Sequence, residues 1–182
     1  MPQLLLELIP KTCHYKNARK KLTATEWNKL RKYIYNRANN ICEICSLTGK
    51  EQGYRNNLEC HEIWEFNKKT LTQKLIGLIA LCPLCHQSKH FGRSIRMGKK
   101  KQILAHIRKI NKWTLKTTLQ HIKKAYTECN ERSKYYWKLD LLILKEDEYS
   151  SVIKLKKTNP SSPTSDQIKC STKHSNPKLA KK

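Results

Sequence analysis

Four of the eight cysteines stand in two C-x-x-C pairs, Cys42/Cys45 and Cys82/Cys85. Two thiolates separated by two residues can reach one metal ion from a tight turn. Two such turns complete a tetrahedral all-thiolate site of the kind that holds structural Zn2+. The 36 residues between the pairs exceed the roughly 15 to 20 of a simple zinc ribbon, so a folded insert is predicted between the halves of the knuckle. The alternative is buried or redox cysteines without metal. The remaining cysteines, Cys13, Cys60, Cys129 and Cys170, are scattered. Paired spacing in a chain without a secretion signal favours metal over disulfides, and with it a reducing, cytoplasmic setting.

A second group of chemically capable residues lies in the insert and just behind it. His61 and Glu62 fall on a predicted strand, whereas His86 and His90 fall four apart on a predicted short helix. Residues at i and i+4 share a helix face, so both imidazoles can point the same way. Zinc ligation by Cys85 would fix the start of that helix, and therefore His86. A hairpin folded over the helix would gather His61, Glu62, His86 and His90 in one cleft, able to hold a divalent ion and activate water for phosphodiester hydrolysis. The alternative is that these histidines pack, or contact phosphate, beside the zinc.

The order C-x-x-C, then Leu58 to Trp64 (LECHEIW), then Ala80 to His90 (ALCPLCHQSKH) resembles the HNH endonucleases of the ββα-metal fold. The likeness is to the subclass in which a four-cysteine zinc site clamps hairpin to helix, in particular to a group of uncharacterised bacterial HNH proteins with a Cys-His-Glu-x-Trp strand. It is specific over Cys42 to His90 and looser over the flanks, from Pro10 and to about Leu144. The resemblance implies a nuclease that bends or widens a groove and cleaves a DNA strand with one divalent ion, such as Mg2+, Mn2+ or Ni2+. By the same resemblance His61 and His86 are ligands of that ion, and His90 is a ligand or a phosphate contact. Glu62 stands where the family has its general-base histidine, and Gly77 falls near the place of the asparagine that orients the base. Either Glu62 serves as base, or His61 does so while Glu62 and His86 hold the ion. From a different functional class, a non-catalytic zinc-dependent DNA- or RNA-binding module on the same scaffold is the competing expectation. Charge alone also suggests an RNA-binding protein akin to ribosomal zinc ribbons, which the long insert and the histidines fit poorly.

These residues need elements to carry them. Thr23 to Glu26 is a capping-box pattern, and Trp27, Leu30 and Ile34 behind it share one face, so a helix is predicted over 24–38, ended by Asn39 and Asn40. Residues 48–57 read as a polar loop, and 58–66 as a strand with Cys60, Glu62 and Trp64 alternating against His61, Ile63 and Glu65. The apolar run 75–81 suits a buried partner strand, and Pro83 can open a helix over 84–90 that stops near Gly92. Further helices are predicted over 102–110 and from Thr114 to about Arg132, the latter with Leu115, Leu119, Ile122 and Tyr126 on its inner face. Residues 136–144 read as a last strand that pairs with the apolar opening segment 1–10, itself a strand or short helix. Trp113, Tyr126, Tyr135, Tyr136 and Trp137 are assigned to the core rather than to base stacking.

The resulting fold class is α+β: a zinc-clamped ββα centre flanked by helices, over residues 4–144 with a core at 42–92. A basic tail over 145–182, rich in Ser, Pro and Lys, is predicted to be disordered. The net charge is +24, from 38 Lys and Arg against 14 Asp and Glu. Only nine lysines and four acids lie from Lys145 onward, so +19 of that charge belongs to the predicted domain. Such an excess opposes compaction by self-repulsion and points to a polyanion as partner, DNA or else RNA. Arg93, Arg96, Lys99, Lys100 and Lys101 follow the histidine group at once and are predicted to lie along phosphates. No run of about 18 apolar residues suits a membrane span, and the opening segment, interrupted by Glu7, does not read as a signal peptide. Nothing in the sequence indicates an oligomeric state.

Overall fold

The computed structural model describes residues Gln3 to Ile153. Its centre is an antiparallel hairpin of β1 (Glu59–Asn67) and β2 (Thr72–Leu81), followed at once by helix α3 (Pro83–Lys89). Asn67 closes the hairpin turn, its Oδ1 accepting from the amides of Lys69 and Thr70 at 2.9 and 3.3 Å. Cα pairing runs from Glu59 opposite Leu81 to Asn67 opposite Thr72, with a bulge between Ile63 and Trp64. On β2, Gln73 and Leu75 are buried before the bulge and Leu78 and Ala80 after it, while Ile76 is 47% exposed. The run 75–81 is therefore the end of a longer, one-sided strand. The extra residue of a bulge shifts the alternation of faces, which made a half-exposed strand read as wholly apolar.

Helix α2 (Ala24–Arg37) forms as its local signals dictate. Thr23 Oγ1 accepts from the Glu26 amide at 3.2 Å, and the Glu26 carboxylate accepts from the Thr23 amide at 2.7 Å, completing the capping box. Leu30 and Ile34 are its buried face, and Asn39 and Asn40, both left-handed, turn the chain into the first cysteine pair. A four-residue helix, α1 (Ala18–Lys21), precedes it.

After α3 the chain breaks at His90 and resumes as α4 (Phe91–Arg96), so Gly92 lies inside a helix instead of stopping one. The buried Phe91 and the close approach of the Tyr126 hydroxyl to Gly92 hold that turn against α6. Helix α5 (Lys100–Asn111) buries Ile103, His106 and Ile107 and ends on left-handed Lys112. Helix α6 (Leu115–Arg132) is capped by Thr114, and its inner face is only in part the expected one: Ile122 packs against the core, but Leu115 and Leu119 are each 48% exposed, Tyr126 is exposed as well, and Thr118 is buried. The helix is rotated because the amino-terminal segment lies along it. Leu6 N donates to His121 Nε2 at 3.0 Å, and Cys129 Sγ reaches the Ile9 carbonyl at 3.5 Å.

That opening segment, from Gln3 to Pro10, is neither strand nor helix. Leu4 is buried and clasped by Asn111, whose side chain accepts from its amide at 2.8 Å and donates to its carbonyl at 3.0 Å. The expected final strand shrinks to β3 (Lys138–Asp140), which pairs in parallel with the start of β2 and not with the amino terminus. Trp137 is turned inward, its Nε1 donating to the Arg132 carbonyl at 2.8 Å, and Asp140 Oδ1 accepts from the Leu142 amide at 2.8 Å, ending the strand. Tyr136, assigned to the core by spacing, is exposed. Packed structure then continues past Leu144: α7 (Asp147–Ile153) buries Tyr149 and Ile153 against α2. The remainder of the expected tail, 154–182, lies outside the described residues. The architecture is mixed α and β, with helices flanking the hairpin and the ββ-to-α3 unit at its centre. No helix among the described residues is long and apolar enough to cross a membrane.

Candidate metal centres

The two cysteine pairs meet. The Sγ atoms of Cys42, Cys45, Cys82 and Cys85 lie within 4.8 Å of one another, and all four residues are buried. Each pair sits in a turn that aims both thiols inward. Ser46, left-handed, returns its amide to the Cys42 carbonyl at 2.9 Å, and Cys82 caps α3 with its sulfur 3.5 Å from the Cys85 amide. Glu43 stitches the first turn to β2: its amide donates to the Ala80 carbonyl at 3.0 Å, and its carboxylate accepts from the Ala80 amide at 2.6 Å. The sulfurs of Cys45 and Cys82 are 3.5 Å apart, and all seven described cysteines are free thiols. The four thiols contact one another closely enough that their protonation is shared, the same contacts drawing the Cys42 pKa down and pushing those of Cys45 and Cys85 up. A four-sulfur, closed, buried set fits a structural metal such as zinc.

Two residues behind this centre carry no motif. Gln52 Nε2 donates to Cys82 Sγ at 3.2 Å, and the buried His106 of α5 places its Nε2 at 3.2 Å from Cys85 Sγ. Such outer partners orient thiolates and balance their charge. Gln52 is delivered by the loop 48–57, which closes on Gly49. A Cβ there would sit 1.9 Å from the Asn56 carbonyl, so only glycine fits. Nothing local marks His106, since its i, i+3, i+4 neighbours make it look like one more residue of an amphipathic helix.

The second centre is built from β1 and α3. His61, His86 and His90 present ligand atoms within 4.8 Å of one another, and their rings stand edge to face with centroids 4.6 to 5.3 Å apart. His61, only 4% exposed, forms the floor, while His86 and His90 are half-buried. Two carboxylates back them. Glu7 Oε2 lies 3.0 Å from His61 Nε2, and its other oxygen pairs with the buried Lys89. Glu59 pairs with His86 Nδ1. A carboxylate at one ring nitrogen places the proton there and leaves the other nitrogen's lone pair free. Burial pushes the His61 pKa down against the opposing pull of Glu7, and burial, then the neighbouring His86 and His61, pushes His90 down to about 3. At neutral pH these two rings are therefore neutral and able to donate a lone pair.

Glu62 is not in this group. It lines the same cleft, but its Oε1 is turned to the Arg19 amide, from which it accepts at 3.1 Å at the start of α1. Burial there holds its carboxyl above the usual range. Its place beside the histidines is taken by Glu7, which the sequence presented only as an acid interrupting an apolar run.

Of the basic residues singled out, Arg93 borders the histidine cleft. Arg96 is exposed at the end of α4, and Lys100 and Lys101 are exposed at the start of α5. Lys99 turns back, donating to Gln87 Oε1 at 3.1 Å and lying over the Tyr54 ring. Comparison with models of protein families, with curated proteins and with solved structures gives no match to this chain.

Proposed function

We propose that this protein is a metal-dependent endonuclease of the HNH type that hydrolyses phosphodiester bonds in DNA. The observation that carries the reading is the convergence of His61 from β1 with His86 of α3 and His90 at the break that follows it, beside a four-thiol centre. A strongly basic chain supports it.

In this reading zinc at the four cysteines fixes Cys85 and hence the first turn of α3. His86 and His90, four residues apart across the end of that helix, would hold a divalent ion in the manner of other i, i+4 histidine pairs. An all-imidazole donor set suits Ni2+, Zn2+ or Mn2+ better than Mg2+, which prefers oxygen ligands. When bound, such an ion supplies Lewis acidity to a phosphoryl oxygen and lowers the pKa of water beside it. His61 takes the proton. Glu7, held by Lys89, fixes the tautomer of His61 so that Nδ1 is the accepting atom, and stabilises the imidazolium that results. Glu59 does the corresponding work of orientation for His86. The side-chain amide that a middle asparagine would bring to the base is missing at Gly77, and Glu7 supplies the orientation from another part of the chain.

Gly77, and Glu62 turned away, are the features that favour the second reading, a zinc-dependent nucleic-acid-binding module without catalysis. Plasmid cleavage with Mg2+, Mn2+, Ni2+ or EDTA, beside His61→Ala and His86→Ala, decides between them. Metal-dependent cleavage lost in both variants is expected, with Ni2+ binding kept in H61A and weakened in H86A. Tight DNA binding with no cleavage under any metal would establish the binder.

A further inference from the structure

A cavity of about 620 Å³ opens beside the histidine cleft, between α2 and the 55–60 segment. The histidine cleft itself is about 390 Å³. The two cavities share Arg19, Trp27, Cys60 and His86, so they form one groove that passes over His86. The first stretch is walled by Arg19, Arg31 and Arg55, and the second by Lys16 and Arg93. Its two acids are already committed, Glu59 to His86 and Glu62 to the start of α1. Arg31 and Arg55 form no ion pair among the described residues. Arg55 is exposed and Arg31 half-exposed, with Arg31 Nε engaged by Asn28 Oδ1 at 2.8 Å, so both guanidiniums line the groove with donors left for an anion. They also match phosphate oxygens in the fork geometry that a lysine lacks.

We infer that this groove seats one strand of the DNA substrate, with Arg31 and Arg55 gripping phosphates on the α2 side of His86 and Arg93 on the other. The inference rests on the proposed function only for the identity of the polymer. It places the principal contacts on α2 and the 55–60 segment, away from the lysine run that opens α5. It also gives the zinc centre a second task. The loop that carries Arg55 closes through the Gly49 amide onto the Asn57 carbonyl at 2.7 Å, and Gln52 of the same loop donates to Cys82 Sγ. Arg55 is thus held in register by the thiol cluster.

The test is fluorescence anisotropy of the full chain, zinc-loaded and without added catalytic metal, on a labelled DNA duplex over a series of salt concentrations. Arg31→Ala/Arg55→Ala should weaken binding at least tenfold at low salt and reduce the slope of log K against log salt by about 1.8, two phosphate contacts at roughly 0.9 each. Arg31→Lys/Arg55→Lys should keep most of the slope and lose part of the affinity, as charge remains without the fork. Zinc content and circular dichroism confirm that each variant is folded. Unchanged affinity and slope in the folded double-alanine variant would overturn the inference, and so would a wild-type chain that binds no DNA. Cleavage by the wild type, assayed in parallel, keeps the two ideas apart. A cleaving enzyme whose binding ignores R31A/R55A loses only the groove. A non-cleaving protein whose binding collapses in R31A/R55A loses only the nuclease.

Discussion

The two centres of this protein differ in how they are closed. The cysteine cluster is buried on every side, and its ligands come from two short turns that fold locally. The histidine cluster is open toward solvent at His86 and His90, and it is completed by Glu7 from a segment that has no regular structure of its own. A closed, all-sulfur set suits a structural ion, whereas an open set of imidazoles backed by carboxylates leaves room for a substrate. In the proposed reading one centre holds the fold together and the other depends on it.

If that division is right, the largest effect belongs to the cysteines. Cys42→Ser or Cys82→Ser should release zinc and unfold the chain, because zinc binding in comparable small sites contributes on the order of 10 kcal/mol of folding free energy. Metal analysis and a thermal melt check it, and retained zinc with an unchanged melt would break the comparison at its root. Glu7→Ala should come next: a fall of up to about 10⁴-fold in cleavage rate, the scale on which a histidine base suffers when the carboxylate that fixes its tautomer is lost. Zinc content should hold, and Glu7→Asp should recover part of the rate. A loss of zinc in Glu7→Ala would show that the two centres are not separate. The outer partner of the thiols is milder. His106→Ala should lower zinc affinity about 10- to 100-fold in competition with a chelator, while the chain still folds at saturating zinc.

How much of this was legible in the sequence follows the same division. The C-x-x-C pairs, the Thr23/Glu26 capping box and the Pro83 helix start are local patterns whose meaning does not depend on the rest of the chain, and all three hold. His61, His86 and His90 were legible as a group because the thiol cluster fixes the helix and the hairpin fixes the strand. The rest is set by distant packing. The inner face of α6 is chosen by the opening segment lying on it, so Leu115 and Leu119 lose to Thr118. β3 runs parallel to β2 because the burial of Trp137 sets the path of the chain there. Glu7 and His61 are 54 residues apart and share no motif. His106 is one polar residue on an ordinary helix until Cys85 arrives beside it.

The smallest expected effect is also the most discriminating, and it falls on Glu62. On resemblance alone Glu62 occupies the position of the general base; in the structure its carboxylate accepts from the Arg19 amide and lies outside the histidine group. Glutamine keeps the accepting oxygen and the shape but cannot act as a carboxylate base. Glu62→Gln should therefore leave cleavage within about threefold, well short of the 10²-fold that loss of a base costs. Glu62→Ala should remove the acceptor at α1 and destabilise the chain by about 1 kcal/mol, read as a small drop in melting temperature. A rate that collapses in E62Q, in protein with normal zinc and an unchanged melt, would make Glu62 the base. An unaffected rate would leave Glu7 and His61 as the pair on which proton transfer depends.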